Sequence, residues 1–504
     1  MNRNQKLLMN TSSSLLKQVV VTICGFILPR YMLLYFGSSV NGLVASATQF
    51  LSFISLLEMG IGPVIQANLY GPLAKKDKKG ISEVVVSTER FFRRISAIFL
   101  VYLAILAFVF PAFVNNDYGT WYTISLLIII SISTFAQYFF GMTYQVLLNA
   151  DQKSYVQNGL AMVSTILNTV FCIVLMHLGA SIHSVKLVTA LIFVIRPLGQ
   201  AIYVRRHYEL DKKIKLEGEP IKQKWNGFAQ HLSAVVNANA ATAILTFLSS
   251  LENVSVYSVY FTIVNGITTT VMTAATGLEA FFGNMLAKGE KEALNKSFGM
   301  IELLIHVLTT IVYTVAAITI VPFISVYTRG INDADYVVPV FGVMLVLAYG
   351  AQCLRIPYFR VIKAAGHFKE TQNGSFISAA LNIVVSVALV FKFGLVGIAI
   401  GSLVAMVYHT CYFVWYLKSH ILERSVFKFV YYIVADLLIG VVTFFISKGF
   451  VMTDVTYLSW VILAIKVGIV TLGVSVVING IFHGKQIAGM LKGFLEKRRN
   501  NSGI

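Results

Sequence analysis

Eight ionisable side chains stand inside long apolar stretches of this sequence, and their chemistry needs explaining first: Arg30, Arg196, Arg355, Lys466, Glu58, Glu279, Glu302 and Asp436. A charge in hydrocarbon costs about 2.5–3.5 kcal/mol on insertion scales, so each requires a partner, a wet cavity or a task. Three of the four cations are arginines, whose planar guanidinium presents paired donors matched to phosphate oxygens. Arg196 precedes Pro197, and Arg355 lies two residues before Pro357. Proline frees a backbone carbonyl that a guanidinium can satisfy internally, so a structural reading stands beside phosphate recognition for both. Arg30 lies about 25 Å along its helix at 1.5 Å per residue; it either snorkels to the outer interface or faces a cavity. Glu58, just ahead of Gly60, Gly62 and Pro63, could pair with an arginine, take up a proton, or reach the inner interface at a bent helix. Glu279 and Glu302 read as solvated at the interface. Asp436 and Lys466 fall about 12 and 20 Å above the inner boundary of a terminal hairpin, and the reach of lysine predicts a structural ion pair between them.

Neutral polar groups gather at Gln230, His231, Asn237 and Asn239. Their spacing gives no single narrow face, so hydrogen bonds between helices compete with sugar contacts there. Gln352 joins Arg355 among the candidates for a transport cavity. His177, His306 and His409 are isolated and read as packed or interfacial. Cys24, Cys172, Cys353 and Cys411 all lie in apolar runs, without a CxxC metal site or a disulfide framework. The triplet Asp333-Ala-Asp335 superficially resembles a glycosyltransferase metal signature, but only a short loop surrounds it. No P-loop, GxSxG or HExxH occurs, so the sequence supports neither an enzyme nor an ATP-driven machine.

The elements that carry these residues are membrane helices. The chain has 504 residues, 57% hydrophobic and 12% charged, with mean hydropathy +0.75; a soluble domain carries about 25% charged residues. That excludes a soluble catalytic domain. A helix crossing the bilayer needs about 20 apolar residues, and fourteen stretches qualify: 13–36, 40–70, 93–115, 121–147, 155–177, 183–204, 228–250, 255–287, 297–325, 337–363, 374–391, 396–418, 428–447 and 457–479. They are continuously apolar, without the alternation of an outer-membrane strand. The start of the chain reads as a retained first helix, since Lys17 and Arg30 interrupt its apolar run and no cleavage pattern follows. Of 40 Lys and Arg, 32 fall on one side of the fourteen spans and four (Lys186, Arg329, Lys392, Lys448) on the other. The basic side is cytoplasmic, which places both termini there and accounts for the net charge of +18 without nucleic acid as a partner.

The chain also repeats itself. Gln157-Asn158-Gly159 recurs at Gln372-Asn373-Gly374, Leu167-Asn168 at Leu381-Asn382, and the basic loop 73–79 at 286–292, all at offsets of 213 to 215. An even number of helices separates the copies, so the halves share one orientation. The expected organisation is a bundle at 1–204, a cytoplasmic linker at 205–227, a second bundle at 228–418, a hairpin of two helices at 428–479 and a basic tail at 480–504.

These features resemble the polysaccharide-unit flippase family of the multidrug/oligosaccharidyl-lipid/polysaccharide (MOP) exporter superfamily. The likeness rests on Pro29-Arg-Tyr-Met-Leu-Leu-Tyr-Phe-Gly37, Asn41-Gly-Leu-Val-Ala45 and Leu56-Leu-Glu-Met-Gly-Ile-Gly62 in the first half. In the second it rests on Lys363-Ala-Ala-Gly-His-Phe-Lys369, Asn382 and Gly394-Leu-Val-Gly-Ile-Ala-Ile-Gly401. The resemblance implies an all-α polytopic membrane protein of about fourteen transmembrane helices, as two parallel six-helix bundles plus a C-terminal hairpin. It implies alternating access, with undecaprenyl-diphosphate-linked oligosaccharide flipped to the outer leaflet of a bacterial cytoplasmic membrane for surface polysaccharide such as O-antigen. With it, Arg30 is favoured as a cavity cation beside Arg196, Arg355, Glu58, His231, Asn237 and Gln352. The implied partners are the lipid-linked substrate, membrane lipids, a polysaccharide polymerase and glycosyltransferases. No metal or bound cofactor is expected, and coupling would be to a proton or sodium gradient or the membrane potential. A flippase for the lipid-linked peptidoglycan precursor and a cation-coupled multidrug exporter are the rivals within the superfamily.

Overall fold

The computed structural model describes residues 3–58, 61–114, 118–214, 228–275, 277–422 and 424–501, all of them helices and short connections, with no strand among them. The side-chain arrangement explains why the chain needs lipid. Ser46, Ser164, Ser378 and Ser386 are wholly buried, whereas Phe108, Trp121 and Phe427 are more than four-fifths exposed. Water would not tolerate so many exposed large apolar groups; hydrocarbon does, and it requires the polar ones to find partners inside.

Among the described residues, twelve helical segments are long and apolar enough to cross a bilayer. The count of fourteen is recovered because Leu8–Glu58 joins two helices across the break at Gly37, and because Ala234–Leu248 is a shorter apolar helix. The fold is therefore the fourteen-helix, multi-pass membrane architecture expected from the sequence.

The chain divides into two compact units. The first covers Met1–Thr262 with Gly330–Ala334. It contains α1 (Arg3–Ser52), a 3-10 turn (Phe53–Glu58), α2 (Ile61–Lys75), α3 (Lys78–Phe113), α4 (Thr120–Ala136), a π turn (Gln137–Gly141), α5 (Met142–Ala150), α6 (Ser154–His177), α7 (Ile182–His207), α8 (Phe228–Leu248) and the start of α9 (Leu251–Ala274). Its core includes Phe99, Leu126, Leu127, Leu147 and Leu148, all at 0% exposure. α1 is broken at Gly37, whose φ of 78° and ψ of 176° leave the helical region. Glycine reaches that conformation without a Cβ penalty, and an added Cβ would lie 2.7 Å from the Asp333 carboxylate. Asp333 accepts from both the amide and the hydroxyl of Ser38 at 2.6 Å. It thus caps the restarted helix as an N-cap carboxylate does, a structural task for half of the Asp-Ala-Asp triplet.

The second unit covers Ile263–Arg329 and Asp335–Ile504. It contains the remainder of α9, then α10 (Leu278–Ala287), α11 (Lys291–Tyr327), α12 (Pro339–Leu354), α13 (Ile356–Ala364), α14 (Gln372–Phe393), α15 (Leu395–His420), α16 (Val426–Ser447) and α17 (Tyr457–Asn501). Phe282, Phe298, Val361 and Ile362 sit at the centre of one of its apolar clusters. α14 and α15 approach closely at Gly401, where a Cβ would fall 2.1 Å from the Ser386 hydroxyl. The duplication read from short words is visible in the helix boundaries. α3, α5 and α7 begin at 78, 142 and 182, and α11, α13 and α15 begin at 291, 356 and 395, shifts of 213 or 214. The interruption after α4, ending at Gly141, corresponds by the same shift to the break between α12 and α13 at Arg355.

Candidate functional site

A polar cavity of about 520 Å³ opens within the first unit. Its wall is assembled from α1, the 3-10 turn, the end of α4 with its π turn, α5, α6 and α7. The π turn holds one residue more than an α-helical turn, and such bulges re-aim side chains. It brings Gln137 and Tyr138 to the wall, where the Gln137 amide donates to Gln145 Oε1 at 2.9 Å. Tyr138 donates its hydroxyl to Glu58 Oε1 at 2.5 Å. α6 is fastened to α1 by Asn158, whose amide donates to Ser13 and Ser14, both at 3.0 Å. That register brings Lys17 to the wall beside Gln157 and Asn158.

Arg196 stands in the same wall. Its guanidinium donates to Ser164 Oγ at 2.5 Å and Thr165 Oγ1 at 2.8 Å and lies 4.3 Å over the Phe193 ring. These hydroxyls orient the cation without neutralising it. α7 runs unbroken through Pro197, so Arg196 does not mark a helix break as its position suggested. Around the two cations and Glu58 are five amides (Gln137, Gln145, Gln157, Asn158, Gln200) and the hydroxyls of Ser52, Ser55, Ser133, Thr134 and Tyr138. The buried Gln200 Oε1 has no hydrogen-bond partner among the described residues. Such a wall can exchange many neutral hydrogen bonds with a polyhydroxylated group and offer net positive charge to an anion.

The cavity unites Arg196 and Glu58 of the residues expected from the sequence. Arg30 is half-buried on α1 beside Pro29 and is not in this wall. Asn237 is half-buried on α8. Its neighbour Asn239 reaches the end of α1 instead, accepting from Ser52 Oγ at 3.3 Å. The His231 side chain lies outside the described residues. Arg355 and Gln352 belong to the second unit. There the Arg355 guanidinium donates to His409 Nδ1 at 2.5 Å and lies 5.8 Å from the Phe413 ring centroid, while Gln352 Oε1 is buried without a hydrogen-bond partner. His409 is therefore not isolated.

The expected ion pair of Asp436 with Lys466 does not form. Asp436 is held by His306 Nδ1 at 2.5 Å and Thr310 Oγ1 at 2.6 Å. Leu463, Val467 and Thr471 carry the buried face of α17 at four-residue spacing, which turns Lys466 outward. Glu302 is likewise buried at 0% exposure, accepting from Arg424 and Tyr358, rather than solvated at the interface. Glu279, more exposed, pairs with Lys363 at 3.3 Å and Arg360 at 3.4 Å.

At the end of the first unit nearest the basic loops, Asp151 accepts from Lys153 at 2.8 Å, Lys6 at 3.2 Å and Tyr208 at 2.5 Å. Burial alone would raise the carboxyl pKa, but the bonds from Lys153, Tyr208 and Lys6 outweigh it and hold the group below its ordinary value. Burial and the bond to Asp151 push the Tyr208 phenol up. The cluster ties α1, the α5–α6 turn and the end of α7 together beneath the cavity helices.

No protein-family model and no curated protein sequence matches the chain. Solved structures do match its fold. The lipid II flippase MurJ aligns over 95% of this chain and 100% of its own, with TM-score 0.73 and 14% identity. An inward-facing multidrug resistance MATE transporter of the MOP superfamily aligns over 80% of this chain and 95% of its own, with TM-score 0.61 and 14% identity. A mutant of the Vibrio cholerae MATE transporter VcmN covers 83% and 97%, with TM-score 0.59 and 14% identity. The chain has the MOP exporter fold.

Proposed function

We propose that this protein is a flippase for a polyprenyl-diphosphate-linked oligosaccharide, moved from the cytoplasmic to the outer leaflet of a bacterial cytoplasmic membrane by alternating access. The observation that carries this reading is the cavity wall, with five amides, five hydroxyls, two cations and one carboxylate among lipid-facing helices. Amides and hydroxyls suit sugar hydroxyls. The excess of cations suits the diphosphate, with Lys17 and Arg196 as its recognition groups. The polyprenyl tail stays in the bilayer. With the cytoplasm negative, outward movement of an anion gains about 2.3 kcal/mol per charge per 100 mV, so the membrane potential can drive the step. An exporter of organic cations is less well served, because the wall sets two cations against a single carboxylate. The MurJ-like fold over 95% of the chain favours one second reading, transport of a lipid-linked peptidoglycan precursor.

The test is translocation of fluorescent undecaprenyl-diphosphate oligosaccharide in proteoliposomes holding the purified protein, with the peptidoglycan precursor and an organic cation run in parallel. Transfer accelerated by an outside-positive potential, and lost in Arg196→Ala, is expected. Transfer of the precursor alone selects the second reading. Uptake of the cation, with neither lipid moved, overturns the flippase reading.

A further inference from the structure

A second group of buried ionisable side chains lies in the other unit, where α11 meets the α16–α17 hairpin. On α11, Glu302, His306 and Thr310 recur every four residues and so share one face. His306 is 1% exposed, and its Nδ1 lies 2.5 Å from Asp436 Oδ2 on α16. Thr310 donates to the other carboxylate oxygen at 2.6 Å. The opposite ring nitrogen, His306 Nε2, is buried with no hydrogen-bond partner among the described residues. Tyr432 of α16 is stacked between His306, at 4.8 Å, and His483 of α17, at 4.4 Å. His483 is 6% exposed, and its Nε2 also lacks a partner.

The charges that face this pair come from every element packed on it. One turn earlier on α11, Glu302 is matched by Arg424, just ahead of α16, and by the Tyr358 hydroxyl of α13. That group balances itself and leaves nothing over for Asp436. α16 contributes Tyr432, whose hydroxyl donates to Gln486 of α17 at 2.8 Å, and α17 contributes His483. No lysine or arginine is paired with Asp436 among the described residues.

The His306–Asp436 pair can hold one proton or two. With one proton on the imidazole, the pair carries a net negative charge in a membrane interior, which is costly. A second proton makes the pair electrically neutral, but it leaves an N–H at Nε2 with no acceptor. Each state removes the defect of the other, so neither satisfies the pair fully. We propose that His306 and Asp436 form an exchangeable binding site for a single proton, whose loading sets the hold of the α16–α17 hairpin on α11. The proton comes from water and returns to it, residing on the imidazole–carboxylate pair while bound. This site belongs to the second unit and does not rest on the flippase reading.

The experiment is proton uptake by the full-length protein in lipid nanodiscs, counted with a pH indicator dye between about pH 5 and 9 and joined to infrared difference spectra of the carboxyl band. Wild-type protein should take up about one proton more than His306→Gln or Asp436→Asn, and the double variant should lose no more than either single one, as one shared site requires. Thr310→Val keeps both titrating groups and removes one donor to the ionised carboxylate. Proton uptake should therefore survive in Thr310→Val and be lost in both ionisable variants, which separates the titrating pair from the packing around it. If one ionisable replacement fails to fold, the other carries the same test. Equal uptake in wild type and both single variants, or uptake lost as fully in Thr310→Val as in them, overturns the proposal.

Discussion

Replacing Arg424 by methionine isolates the cost of a single unmatched carboxylate. Glu302 is fully buried and accepts from the Arg424 guanidinium and the Tyr358 hydroxyl. Methionine keeps the apolar stem that packs near the Phe298 ring, from which the guanidinium carbon is 5.2 Å. The variant therefore removes the charge more than the packing. Breaking a buried pair by removing one partner costs about 3–5 kcal/mol. The carboxylate has one escape, which is to take a proton, and neutralising an ordinary glutamic acid at pH 7 costs about 3.7 kcal/mol. That figure caps the penalty, so Arg424→Met should lose about 3–4 kcal/mol at pH 7. Because neutralisation becomes easier in acid, the loss should shrink by about 1.4 kcal/mol per pH unit on descending toward pH 5. Glu302→Gln combined with Arg424→Met should return to within about 1 kcal/mol of wild type, since Tyr358 can still bond the amide oxygen. Equilibrium unfolding in mixed micelles at several pH values measures all three proteins. A single variant as stable as wild type, or a loss that does not change with pH, would refute the argument.

Three further outcomes follow from the same reasoning. Asp151 is held below its ordinary pKa, so its bonds stabilise the fold above the unfolded carboxylate value and fade as pH falls through the folded one. Asp151→Asn should lower the melting temperature at neutral pH and flatten the acid limb of a melting-temperature profile. Asp333→Ala removes both bonds to Ser38 and should cost about 1–2 kcal/mol, seen as faster amide exchange in α1 immediately after Gly37. Lys466→Met should change stability by less than about 0.5 kcal/mol in the same unfolding assay, because the side chain faces outward and holds no carboxylate.

The sequence by itself determined that the chain is a duplicated bundle of membrane helices, because hydrophobic length and the placement of lysine and arginine are properties of contiguous residues. The shift of 213 to 215 seen in short words returns as the shift between helix starts for the same reason. It also marked the costly groups, and Arg196 and Glu58 do meet in one cavity. Partner choice was another matter. Asp436 lies 30 residues from Lys466 yet 130 from His306, and the rotational phase of α17 turned Lys466 away while α11 brought the histidine in. Glu302 finds Arg424 across 122 residues. The π turn at Gln137–Gly141 adds no mark to the residue types, yet it helps bring Gln137 and Tyr138 to the cavity wall. Composition tells which side chains cannot be left alone in hydrocarbon. Helix phase, kinks and crossing points decide which of them meet, and those are set by packing between segments far apart in the chain.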